Sequence, residues 1–204
     1  MQNSGVLDAR KCTISGSGTH IGTINEKSTF TILSRSSSGQ MLSQGGHKFK
    51  VVMENSSYRY VWTVHDNGDG SYTCVITPST VGLFTLHVTV DSKSIKGSPF
   101  NCTIRPSLSS ASTSQLIVDR FSPQTPGTLN FTVVARDKFD NDASHGGDPF
   151  VAQAFGESQL VRFCDMNDGT YQGSITWNVD PQQSSALSVC LKGLQILGSP
   201  LQLQ

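Results

Sequence analysis

Phe84-Thr85-Leu86-His87-Val88-Thr89-Val90 puts apolar side chains at 84, 86, 88 and 90 and polar ones between them. A period of two sends each set to its own face of an extended strand, one buried and one wet. Comparable runs follow at Phe49 to Met53, Tyr60 to Val64, Tyr72 to Ile76 and Phe100 to Ile104, bounded by Gly, Pro, Asn or Asp. No window carries a helical stripe. Short strands at regular spacing, with turn residues between them, predict an all-β sandwich.

Working outward, the chain repeats itself. Gly45-Gly46-His47-Lys48-Phe49 returns as Gly146-Gly147-Asp148-Pro149-Phe150, 101 residues on. Asp69-Gly70-Ser71-Tyr72 returns as Asp168-Gly169-Thr170-Tyr171 after 99, and Gly97-Ser98-Pro99-Phe100 as Gly198-Ser199-Pro200-Leu201 after 101. Three signals in one order at one spacing indicate two copies of one unit. The 204 residues therefore divide into domains 1–105 and 106–204, each near the usual domain size. The joint is Pro106-Ser107-Leu108-Ser109-Ser110-Ala111-Ser112, a short Ser-rich linker of limited reach. The second copy stops soon after its last strand signal, as a segment of something longer would.

Lys plus Arg and Asp plus Glu both number 15, so the chain is formally neutral and lacks the basic excess of a nucleic-acid binder. Charged residues make up only 15%, and 29 Ser and 18 Thr supply the missing polarity. The 36% hydrophobic residues come in alternating runs, which excludes disorder. No stretch is apolar enough to span a membrane, and MQNSGVLDAR is not a signal peptide. Residues 1–105 carry ten Lys/Arg against six Asp/Glu and residues 106–204 five against nine, so the halves are +4 and −4.

Chemistry-bearing patterns are sparse. Asp66-Asn67-Gly68-Asp69-Gly70 hints at a calcium loop, yet glycines stand where oxygen ligands are needed and Thr77 where a bidentate Glu belongs. A tight strand-to-strand turn is the better reading. There is no phosphate loop, nucleophile elbow or zincin motif, and the five histidines are scattered. The five cysteines contain no C-x-x-C. No catalytic residue, metal, cofactor or small-molecule substrate is expected.

The stretch Asp66-Asn67-Gly68-Asp69-Gly70-Ser71-Tyr72, with Thr77-Pro78, Val81-Gly82 and Gly97-Ser98-Pro99-Phe100, resembles the filamin-type immunoglobulin-like repeat. Gly16-Ser17-Gly18 sits where that family has an early Gly-x-Gly. The resemblance covers nearly the whole chain, twice. The second copy departs from it at Met166-Asn167 and at Trp177, where the first has Pro78. It implies two tandem seven-stranded antiparallel β-sandwiches that bind and space rather than catalyse.

Within that fold the first and last strands can lie close. Cys12 and Cys102 both have inward phase, giving a candidate disulfide with two buried thiols as the alternative. Cys74 has core phase, and Cys164 and Cys190 outward phase. Asn55, Asn101 and Asn130 head three N-glycosylation sequons and should all face water. The family's peptide groove lies between its third and fourth strands, where a ligand adds as an extra strand. Here those strands would be Lys48 to Glu54 and Arg59 to Val64, with Lys48, Lys50, Val52, Arg59, Tyr60 and Trp62 at the edge. An edge guarded by Lys against aggregation is the competing reading.

Two functions follow. Composition, sequons and the candidate bridge suggest an extracellular adhesion module of a membrane-anchored protein. It resembles the gamete-expressed sperm-surface subfamily of flowering plants, which implies gamete attachment and a location outside the plasma membrane. Its partner would be a cell-surface receptor or a second copy, and any membrane contact would run through segments outside this chain. The alternative is a cytoplasmic scaffold, an actin cross-linker or a tripartite-motif ligase repeat, with which Cys12-x-x-Ser15-Gly16-x-Gly18 is compatible.

Overall fold

The alternating run lies in a nine-residue strand, Gly82–Val90, where Phe84, Leu86, Val88 and Val90 are buried and the residues between them are not. The computed structural model describes residues 5–119, 127–155, 161–177 and 185–203. The chain divides into two compact units, Met1–Arg105 and Pro106–Gln204, each with its own apolar core.

Unit 1 contains β1 (Thr13–Ser15), β2 (Ile21–Thr23), β3 (Ser28–Leu33), β4 (Phe49–Glu54), β5 (Arg59–Trp62), β6 (Val64–Asp66), β7 (Ser71–Ile76), β8 (Gly82–Val90), β9 (Lys93–Ser94) and β10 (Phe100–Arg105). One sheet runs β1-β3-β7-β6. The other runs β2-β10-β8-β4-β5, with β9 on β8. Pairing is antiparallel except between β2 and β10. Phe30, Ile32, Tyr72 and Ile76 from one sheet face Val51, Met53, Leu86 and Val88 from the other, all at 1% exposure or less. Burying each such side chain contributes about 1.5–3 kcal/mol before entropy is counted.

The first strand is split between sheets. Gly16 (φ 129°) separates β1 from the turn leading to β2, and a Cβ there would strike the Thr29 carbonyl and the Phe30 backbone. The fourth strand is split too: β5 pairs with β4, and after Thr63 the chain crosses to pair β6 with β7.

Unit 2 contains β11 (Gln115–Val118), β12 (Gly127–Val134), β13 (Phe150–Phe155), β14 (Val161–Asp165), β15 (Thr170–Trp177), β16 (Ala186–Leu191), β17 (Leu194–Gln195) and β18 (Leu201–Gln202). Its sheets run β11-β12-β15-β14 and β13-β16-β17, with β18 on β16. In the first unit the last strand is split as well, into β9 and β10 that both pair with β8, so three splits account for ten strands where seven are expected.

The repeated motifs are interlocking turns. The Asp66 carboxylate accepts from Gly46 N–H at 2.6 Å and Gly68 N–H at 2.9 Å; Asp165 accepts from Gly147 and Asn167 at 2.7 and 2.8 Å. The Tyr72 and Tyr171 hydroxyls accept from His47 and Asp148 N–H at 3.0 and 2.8 Å. Gly70 and Gly169 (φ 83° and 90°) bring the next turn against the carbonyls of Leu42 and Ala143, where a Cβ would collide. These bonds hold the Asp66 carboxyl below its usual range, through Gly46 and then Gly68. Asp69 is lowered likewise by the Ser71 hydroxyl and N–H. The carboxylates that resemble calcium ligands are thus engaged by backbone N–H groups.

The Ser-rich stretch after Pro106 is bonded into unit 2. Ser107 N–H donates to Asp137 Oδ2 at 2.9 Å, Ser109 Oγ to Asp148 Oδ2 at 2.7 Å, and Ser110 N–H to the Arg136 carbonyl at 2.7 Å. Arg105 still pairs with Thr23, leaving Pro106 alone between strand β10 and the first anchored residue of unit 2.

Candidate protein-recognition edge

In unit 1 the two strands of the expected groove lie side by side, and the free edge falls on β5 with Arg59, Tyr60 and Trp62. β4 and β5 pair with each other in the register Val51–Trp62, Val52–Val61, Met53–Tyr60 and Glu54–Arg59. β4 already holds β8 on its other side, so it has no open edge. The cause is a tight hairpin: Asn55 Oδ1 accepts from Ser57 and Tyr58 N–H at 2.9 and 2.8 Å and turns the chain straight back. Val52 is buried beside Val61 and His87 on the outer face. Arg59 bonds Glu54 at 2.8 Å, and Lys48 and Lys50 are exposed. Tyr60 and Trp62 stack at 5.7 Å and pack on the core, with Tyr60 Oη 2.7 Å from Thr80 Oγ1.

Unit 2 differs among its described residues. Among the described residues β13 pairs only with β16, while β14 pairs only with β15 in the opposite sheet. Ala152 and Ala154 stand at the inward positions of β13 where unit 1 has Val51 and Met53. Those two are fully buried in unit 1; the alanines are only partly so. Across from them, Val161 and Phe163 project from β14 and are also partly covered. Phe163 stacks on Phe131 at 5.9 Å and Tyr171 at 5.7 Å, giving the slot a firm aromatic floor. Exposed Val151 and Phe155 mark the outward side of the same strand. Sequence reasoning missed this edge. The signal was the pair Ala152 and Ala154, too small to seal the end of a sandwich.

Of the two readings of Cys12 and Cys102, the fold has the buried thiols. All five are free thiols. Cys12 lies in the turn before β1, its Sγ 3.4 Å from the Asp8 carbonyl, whereas Cys102 Sγ lies 3.9 Å from that of Gly18, beyond the strand split. The sheet crossing between them gives each thiol a different neighbourhood. Burial raises both thiols above their usual value and pushes Cys74 up to about 12. Cys164 is exposed and Cys190 half-buried. Asn55, Asn101 and Asn130 are exposed. Among the described residues no three His, Cys, Asp or Glu side chains gather as a metal site.

Comparison with known proteins follows this geometry. The filamin/ABP280 repeat matches residues 6–101, and unit 2 repeats the same turn interlocks on a like pair of sheets. Unit 1 is a filamin repeat. The mouse E3 ubiquitin-protein ligase TRIM45 is 32% identical over 108 residues, and its human counterpart 29% identical over 108. Those matches take in 50% of this chain and 18% of each ligase. Among solved structures, the Escherichia coli adhesin FdeC superposes with a TM-score of 0.67 at 18% identity, over 98% of this chain and 65% of its own. Invasin, a bacterial integrin-binding protein, gives 0.67 at 18% over 94% and 39%. At that identity the likeness is one of fold.

Proposed function

We propose that the protein is a non-enzymatic recognition module that takes an extended peptide from a protein partner along β13 of unit 2. One observation carries this: among the described residues β13 has a strand partner on one side only, with small, half-covered Ala152 and Ala154 above Val161 and Phe163. An added strand gains main-chain hydrogen bonds from the free edge, and its alternate side chains enter the slot. Unit 1, whose slot Tyr60 and Trp62 fill, serves as support.

The compartment we favour is the extracellular face of the plasma membrane, on the strength of the Ser/Thr-rich composition and three exposed sequon asparagines. Attachment between gametes is the narrower role within that reading. A cytoplasmic scaffold is favoured by a different observation, the TRIM45 similarity together with five unpaired thiols.

The test copies unit 1 into unit 2. Ala152→Val with Ala154→Met should close the slot with residues the frame already accepts. Peptides selected on the wild-type chain from a random displayed library should then bind about tenfold more weakly or worse by fluorescence anisotropy. Unchanged affinity in a folded variant would refute the β13 site. Glycan analysis of the full-length protein from its own cells separates the two compartments.

A further inference from the structure

We infer that Asn130 carries an N-linked glycan whose innermost sugars lie in a depression on the outer face of β11-β12-β15-β14, leaving the β13 edge of the other sheet uncovered. This rests on the extracellular reading above. The depression holds about 460 Å³, within the range that accommodates a small ligand, and Asn130 is part of its lining. Around it stand Thr132, Gln172, Ser174 and Arg162, with Ile117 at one side. With Asp119, these present hydroxyl, amide, carboxylate and guanidinium groups beside apolar surface from Ile117, Phe131 and Phe163, which suits a sugar with polar edges and an apolar ring face.

The strand geometry supports the assignment. In Asn130-Phe131-Thr132 the phenylalanine is 3% exposed and points inward, so the amide and hydroxyl emerge together on the wet face. Ser174 lies opposite Asn130 and Gln172 opposite Thr132 on β15, and Ile117 opposite Thr132 on β11. The directly facing Ser174 is short, so a substituent on Nδ2 has room. Asn55 differs: its Oδ1 holds the hairpin and its Nδ2 donates to the Leu83 carbonyl at 3.4 Å.

Attachment needs a polyprenyl-diphosphate oligosaccharide as donor, which the secretory pathway supplies. Asn130 Nδ2 forms a bond to C1 of the terminal sugar as the C1–O bond to diphosphate breaks. The diphosphate leaves with the electron pair, and the amide gives up one proton to the transferase. The other N–H remains to donate within the depression. The sugars would cover Cys164, which shares this face, and direct partners towards β13.

Full-length protein recovered from its own cells should yield an Asn130 glycopeptide by mass spectrometry. Asn130→Gln and Thr132→Ala should each lose the same mass. Peptide N-glycosidase should release this glycan about tenfold more slowly from folded than from urea-unfolded protein, since access requires local opening. An unmodified Asn130 beside a glycan at Asn55 or Asn101 would overturn this inference while leaving the compartment intact. A chain with no glycan anywhere would overturn both. Equal release from folded and unfolded protein would overturn the seating in the depression.

Discussion

One row of the core shows how the two units diverge on a shared frame. In unit 1, Cys74 sits between Phe30 and Val64; in unit 2, Gly173 sits between Phe131 and Phe163. A small central residue with a large neighbour replaces a middling pair. A Cβ at Gly173 would fall on the Phe131 ring, so glycine is what lets Phe163 stack there. The same economy recurs one strand away, where unit 1 fills its slot with Met53, Tyr60 and Trp62 and unit 2 leaves Ala154 half-covered. Equivalent backbones therefore carry different faces, because packing constrains the summed volume of neighbours more than any one side chain.

Breaking that row gives the largest expected effect. Phe163→Val alone should destabilise unit 2 by about 2 kcal/mol, through lost burial and the void beside Gly173. Gly173→Cys alone should cost about 1–3 kcal/mol by overpacking. Together they rebuild the unit 1 row and should recover much of the sum, a coupling that hydrogen exchange in β15 during urea titration would measure. Simple additivity would show that the two rows are not equivalent.

A second difference concerns Asp137, which is buried where unit 1 has Ser36. Burial opposes its charge, yet the N–H groups of Ser107, Asn141 and Phe139 outweigh that and hold the carboxyl below its ordinary value. A depressed folded value means stability that is present above the unfolded carboxylate pKa near 4 and lost as pH falls through the lower folded one. Asp137→Ala should cost unit 2 about 1–3 kcal/mol at neutral pH, by leaving those N–H groups unpaired. It should also flatten the acid limb of that unit's stability curve, and free the Ser107 amide to exchange. An unaltered acid limb would remove Asp137 as the anchor of the joint.

The smallest effect is chemical. In folded protein made without glycans Cys164 should react with a thiol reagent, whereas Cys12, Cys74 and Cys102 of unit 1 should react only on unfolding. Intact-mass analysis after timed alkylation reads this directly, and rapid modification of Cys74 would contradict its burial.

Much of the frame was legible in the chain. The alternation of Phe84–Val90 depends on the two-residue period of a strand, and the recurring Gly-Gly and Asp-Gly-x-Tyr signals depend on backbone angles and turn bonds that few residues satisfy. Such local rules require no knowledge of distant neighbours. The outward phase of Asn101 and Asn130 was readable for the same reason.

Which edge stands open was not legible. Lys48 to Glu54 and Arg59 to Val64 look like a groove in one dimension, but Asn55 folds them into a hairpin that closes it. Cys12 and Cys102 share an inward phase, yet the strand split at Gly16 gives them separate surroundings. The linker serines read only as a short joint of limited reach, and nothing in them points to Asp137, thirty residues downstream, which binds Ser107. Sequence by itself determined the strands, their faces and the repeat, because those follow from local backbone chemistry. Tertiary structure alone decided the strand pairing of β4 and β5, the thiol neighbourhoods and the anchoring of Ser107 within unit 2, because each depends on which residues, distant in the chain, compete for the same space or hydrogen bond.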